Sequence, residues 1–225
     1  MCFKNKKLDD EKRQRLDKVL KIAAEIATKN PAALKDFMKL LGRKYQSECL
    51  CKAVSALNEH KVSNLEPSLA WFDTRMELNA DNHNLHDVIK KVDVDVELNL
   101  ATDLVMPWPW NMDRVVNNLS YIGGGESRTP WRQDNNHRTQ LWLPFGIAWV
   151  YGGNHSMMSG IVQGQGVIKP EEVYDASPLF KYVKFDGINF IRLDTGNVIG
   201  KPADFEFACI FEVGRFMHEK GISCT

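Results

Sequence analysis

The stretch that most limits how this chain can fold runs from Leu141 to Gly164, LWLPFGIAWVYGGNHSMMSGIVQG. Ile147-Ala148-Trp149-Val150-Tyr151 is an apolar run too short for a helix and rich in β-formers. Gly152 and Gly153 follow, then Asn154-His155-Ser156, and beyond them Met157, Met158, Ile161 and Val162 recur at helical spacing. The order predicts a buried strand, a tight glycine turn and a helix start. The first turn of a helix carries unpaired backbone N–H groups and the positive end of the dipole, so it holds an anion. Glycine lets the backbone approach that anion, and a neighbouring His or Ser adds a donor. The plainer reading is an N-cap, Asn154 or Ser156, after a buried strand. Spacing alone leaves the two open.

Gly152-Gly153-Asn154-His155-Ser156 followed by an apolar helix resembles the strand–GxHR–helix signature of the ParB/sulfiredoxin-like superfamily. Pro107 to Ile122, PWPWNMDRVVNNLSYI, resembles the strand-and-helix block that precedes that signature. The likeness is local and spans roughly the middle third of the chain. It implies that Gly152, Gly153, Asn154 and Ser156 cradle the phosphates of a nucleotide. Ser156 stands where the superfamily usually has arginine, and Asn154 stands where sulfiredoxins carry their catalytic cysteine. The sulfiredoxin redox reaction is therefore not implied. The whole chain also resembles an uncharacterised bacterial protein family.

The segment before the signature has an unusual composition. Five of the six tryptophans lie between Trp108 and Trp149, and no lysine occurs between Lys91 and Lys169. The fixed cations there are Arg114, Arg128, Arg132 and Arg138, with His137 beside the last. Arginine offers a planar fork for phosphate, and tryptophan a flat face for a base. Gly123 to Arg138 reads as a long polar loop containing Glu126. Taken alone, the tryptophans read as core. With the arginines and the glycine turn they read as part of a nucleotide pocket. In an enzyme of this kind the reaction is phosphoryl transfer or hydrolysis, with His155 as acid or donor and Glu126 as base or magnesium ligand.

The flanks are simpler. Residues 8–29 form an amphipathic stripe of Leu16, Val19, Leu20, Ala23, Ile26 and Ala27. Asn30-Pro31 restarts a second helix carrying Leu34, Phe37, Met38 and Leu41 inward, with Gly42 as terminator. A third helix is expected from about Ser47 to His60. Val92 to Leu100 alternates apolar with acidic or polar residues and predicts a half-buried strand. His83 and His86 share spacing for a metal but lack a third ligand, so no metal site is expected. Val183–Phe185, Asp186-Gly187 and Ile188–Leu193 predict a hairpin, and a helix from about Ala203 to Lys220 closes the chain. These elements predict an α+β protein: residues 1–61 as a helical N-terminal unit, packed on residues 62–225 as a mixed-sheet, ParB/sulfiredoxin-like domain.

With 225 residues the chain can bury a sizeable core, and no apolar run is long enough to span a bilayer. The N-terminus is charged and lacks the apolar centre of a secretory signal. Five cysteines without a CxxC pair read as reduced thiols in a cytoplasmic protein. The zero net charge hides an asymmetry. Residues 1–61 hold 15 Lys and Arg against 8 Asp and Glu, and the remainder holds 14 against 21. Contact with nucleic acid is expected to be weak and salt-dependent. The leading expectation is a bacterial protein that binds a nucleotide, with or without magnesium, or another phosphorylated small molecule. The alternatives are a non-catalytic DNA- or protein-binding module of the same fold, or a ParB-like nuclease.

Overall fold

A computed structural model describes residues 2–56 and 70–223. Helix α1 (Cys2–Lys29) buries Leu16 and Ala23, and Val19, Leu20, Ile26 and Ala27 pack against the same core. It ends at Asn30, whose carbonyl accepts from the Ala33 N–H at 3.0 Å across a short 3-10 turn, Pro31–Ala33. The Asn30 side chain makes no cap bond; Pro31 alone sets the restart.

Helix α2 (Leu34–Ser55) buries Leu34, Phe37, Met38 and Leu41 as expected, but it runs straight through Gly42. The expected stop at Gly42, and a separate third helix from Ser47, are not found. A Cβ at Gly42 would stand 2.5 Å from Leu104 Cδ1, so the glycine serves a close approach to the sheet. The end expected at His60 and the 61/62 domain boundary lie outside the described residues.

Helix α3 (Leu85–Val88) is one turn, opened by an Asn84–Asp87 capping box. Strands β1 (Lys90–Val92), β3 (Leu104–Met106), β4 (Thr139–Leu143), β5 (Ile147–Val150) and β7 (Glu172–Asp175) build one mixed sheet in the order β1-β7-β4-β5-β3. Two pairings in it are parallel, β3 with β5 and β4 with β7. Strand β2 (Leu98–Asn99) pairs instead with β6 (Val167–Ile168) in a ribbon of its own. The single strand expected over Val92–Leu100 is thus split. Its burial still alternates residue by residue, but its two ends join different ladders.

Helix α4 (Met112–Tyr121) follows β3, and helix α5 (Asn154–Gln163) follows β5. Strands β8 (Val183–Phe185) and β9 (Phe190–Arg192) form the expected hairpin, and β10 (Val198–Gly200) extends it into an antiparallel meander. Asp186 Oδ1 accepts from the N–H groups of Ile188 and Asn189, which makes the β8–β9 loop four residues long rather than two. Helix α6 (Phe205–Glu219) is capped by the Asp204 carboxylate, which accepts from the Phe207 N–H at 2.8 Å.

One face of the main sheet carries Leu104, Met106, Trp142, Ile147 and Trp149 into a core shared with α1, α2, α6 and Trp71. The opposite face carries Val105, Leu141, Ala148, Val150 and Val173 against Met157 of α5 and Trp131. The class is α+β, with the N-terminal helices built into the larger core. The charge asymmetry is used between the two parts of the chain. Arg13 meets Asp186, Arg15 meets Glu206, Lys39 meets Asp103, and Lys44 meets Asp204 and Glu206. No helix among the described residues is long and apolar enough to cross a membrane.

Candidate functional site

Parallel strands β3 and β5 lie side by side, with Met106 opposite Trp149 at their carboxyl ends. Each strand leads into a helix from that same edge. Pro107-Trp108-Pro109-Trp110-Asn111 connects β3 to α4, Tyr151-Gly152-Gly153 connects β5 to α5, and the two helices pack together. Ligands of open α/β sheets gather at carboxyl strand ends, where helix N-termini converge. The two blocks singled out in the sequence are therefore neighbours, at an edge suited to an anion.

Asn154 and His155 fasten them together. Asn154 Oδ1 accepts from the Trp108 N–H at 2.9 Å, and His155 Nε2 accepts from the Asn111 N–H at 3.0 Å. Both side chains are buried. The His155 ring also meets the edge of Trp110 at 5.7 Å between centroids. A ring nitrogen that accepts from an amide carries no proton. Nε2 is therefore not the phosphate donor or acid expected of His155; it positions the strand-to-helix connection.

The two glycines also work differently from the expectation. Gly153 is the left-handed N-cap of α5, at φ 74°. A Cβ there would stand 2.5 Å from His137 Cδ2, and one on Gly152 would stand 2.5 Å from the Asn136 carbonyl oxygen. The chain that approaches this turn is the protein's own segment 136–138. The Gly152 and Tyr151 N–H groups both donate to the Arg138 carbonyl. What remains for a ligand is the first turn of α5. Asn84, Asn111 and Asp204 each cap a helix through the side chain, whereas α5 starts without a side-chain cap. Ser156 is half-buried in that turn, and its carbonyl accepts from the Trp131 indole N–H at 2.8 Å.

Two donors beside this turn were not picked out as ligand groups by sequence reasoning. His137 is buried, with its ring between Trp131, 4.9 Å away by centroid, and Gly153. Its Nδ1 lies 2.8 Å from the Asp134 amide nitrogen and 2.9 Å from the Asp134 carboxylate. The amide is an obligate donor, so in the neutral ring Nδ1 accepts and Nε2 holds the proton. When the ring is doubly protonated the carboxylate takes over as partner, and Nε2 is again an N–H. That Nε2 is buried without a hydrogen-bond partner among the described residues. So is the hydroxyl of Thr139, which opens β4 opposite Val150 and is 1 % exposed. Orphaned buried donors are costly and call for an acceptor; the indole N–H groups of Trp142 and Trp149 are orphaned as well, but inside the apolar core on the face of the sheet opposite α5. A polar His-x-Thr entering an otherwise apolar strand was the available signal.

The four arginines divide. Arg138 packs against Gly152, its Cβ and Cγ 3.3 Å from where a Gly152 Cβ would sit, and its Nε donates to Glu171 at 2.9 Å. Arg114 stands in the first turn of α4 with its guanidinium 5.8 Å from the Trp110 ring centroid. Arg128 donates to the Gly124 carbonyl inside its own loop, at 3.1 Å. Arg132 and Glu126 are exposed and make no hydrogen bond or ion pair among the described residues. Arg114 and Arg138 thus accompany the two helix starts; no contact joins Arg128, Arg132 or Glu126 to them. No metal-holding cluster of His, Cys, Asp or Glu occurs among the described residues.

No curated protein and no solved structure matches the chain. A family model does match, over residues 2–224, so the chain belongs to the family of unknown function DUF6710.

Proposed function

We propose that this protein binds a phosphorylated small molecule of the nucleotide class at the amino end of α5. One observation carries the reading: an uncapped helix start with one buried, unpartnered donor, His137 Nε2, against its N-cap glycine, and a second, the Thr139 hydroxyl, opposite Val150 at the end of the strand that leads into it. A phosphate oxygen satisfies such donors and adds the favourable field of the helix dipole. Arg138 and Arg114 supply positive charge at the rim, and half-buried Trp110 offers a face for a base. The resemblance to the ParB/sulfiredoxin-like signature supports the same ligand class. The proposal is for binding. His155 is engaged in positioning Asn111, and Glu126 is exposed without a tie to this turn, so neither is assigned a part in catalysis.

A thermal-shift screen of nucleotides, with and without magnesium, tests the reading, because a ligand of the native state raises the unfolding midpoint. Mono- or dinucleotides should raise it in a concentration-dependent way. No shift with any nucleotide or inorganic phosphate at millimolar levels removes the proposal.

A further inference from the structure

At the other ends of the same strands there is a cavity of about 120 Å³. Leu104 opens β3 and Gly146 precedes β5, so the chamber lies at their amino ends, away from the turn of α5. Its walls are apolar: Met38 of α2, Leu98, Leu104, Leu141 and Phe145 all face it, each buried from solvent. Gly146 extends the space, since a Cβ there would meet nothing within 4 Å. A chamber of this size holds roughly one benzene ring or a chain of about six carbons.

Its mouth is charged. Lys35 and Lys39 border it from successive turns of α2, with Glu97 and Asp103 opposite. Lys39 Nζ is already held by Asp103 at 2.9 Å and by Asp36 at 3.5 Å. Glu97 has Lys169 at 4.0 Å. The mouth holds two lysines against two carboxylates, and of these four only Lys35 makes no ion pair among the described residues, so its ammonium is the charge left for a ligand. We propose that this cavity binds a small apolar monocarboxylate, with its hydrocarbon body between α2 and the β3–β4–β5 floor and its carboxylate on Lys35. An unpaired ammonium beside a hydrophobic chamber selects such a ligand over its uncharged isostere, because only the carboxylate forms a charge-assisted contact with Lys35.

Isothermal titration of the full chain with hexanoate and with 1-hexanol tests this. Hexanoate should bind saturably at one site, about tenfold tighter than the alcohol, which corresponds to one charge-assisted contact. Lys35→Gln should bring hexanoate down to the level of the alcohol and leave the alcohol unchanged. Val96→Phe, at the cavity wall, should remove both. Absence of saturable hexanoate binding overturns the site. Equal affinity for acid and alcohol, or a preference that survives Lys35→Gln, overturns the assignment to a carboxylate. Lys35 is only half-buried on a helix surface, so its variant tests the idea even where the wall variant folds poorly.

Discussion

Thr139 separates a ligand-binding role from a structural one. A buried hydroxyl without a partner destabilises the folded state, so Thr139→Val should keep or raise the unfolding midpoint, with a gain of about 1 kcal/mol. The same change should lessen or remove the shift caused by a nucleotide. Calorimetry of both proteins, with and without ligand, checks the two halves; a loss of stability in the unliganded variant would mean that the hydroxyl has a structural partner. Gly153 behaves in the opposite way. Its φ of 74° and the His137 ring 2.5 Å from a would-be Cβ make any side chain there costly. Gly153→Ala should lower stability by about 1–3 kcal/mol, read by denaturant titration, before any ligand is added. The thiols divide by burial. Burial pushes Cys209 up to about 12 and Cys49 up to about 11, while Cys51 is exposed. Iodoacetamide at neutral pH should therefore alkylate Cys51 before Cys49 and reach Cys209 only on unfolding, as peptide mass mapping would reveal.

At the scale of elements, the connection between β3 and α4 depends on α5. Replacing His155 by Ala leaves the Asn111 N–H without its acceptor, at a cost of about 1–3 kcal/mol. Amide hydrogen exchange should then quicken at Asn111 and at the start of α4 while the α1–α2–α6 core stays protected. Unchanged protection at Asn111 would mean that the clasp is not limiting. Much of this was legible in the sequence. The strand, glycine turn and helix at Ile147–Gln163 follow from local apolar spacing and from glycine, and the closing helix from its apolar pattern. What was not legible depended on partners distant in sequence. Gly42 reads as a stop until Leu104 is placed against it. The alternation over Val92–Leu100 cannot reveal that its two ends join different ladders, because period-two burial is the same for one strand or two. His155 has the residue type of a phosphate donor, and only the Asn111 amide, 44 positions away, reveals that its nitrogen accepts. Glu212 is buried, accepts the Phe185 N–H and pairs with Arg215, and the first of these partners lies 27 positions away.

For the whole molecule, the helices of the basic N-terminal part and the sheet share one core, with ion pairs across the seam. Such pairs are worth at most about 1 kcal/mol each where solvent reaches them, so apolar contact dominates the attachment. Removing residues 1–33 should expose the α6 face and yield an insoluble or unfolded product, as seen by sedimentation and circular dichroism. A soluble, equally stable remainder would show that α1 is dispensable. The central claim concerns the amino end of α5, at the edge where two strand–helix blocks meet. It is tested most directly by amide NMR of the full chain titrated with a nucleotide. Saturable shifts should centre on Asn154, His155 and Ser156, together with the His137 ring and the Thr139 amide. Saturable shifts centred elsewhere, with those residues unmoved, would contradict it.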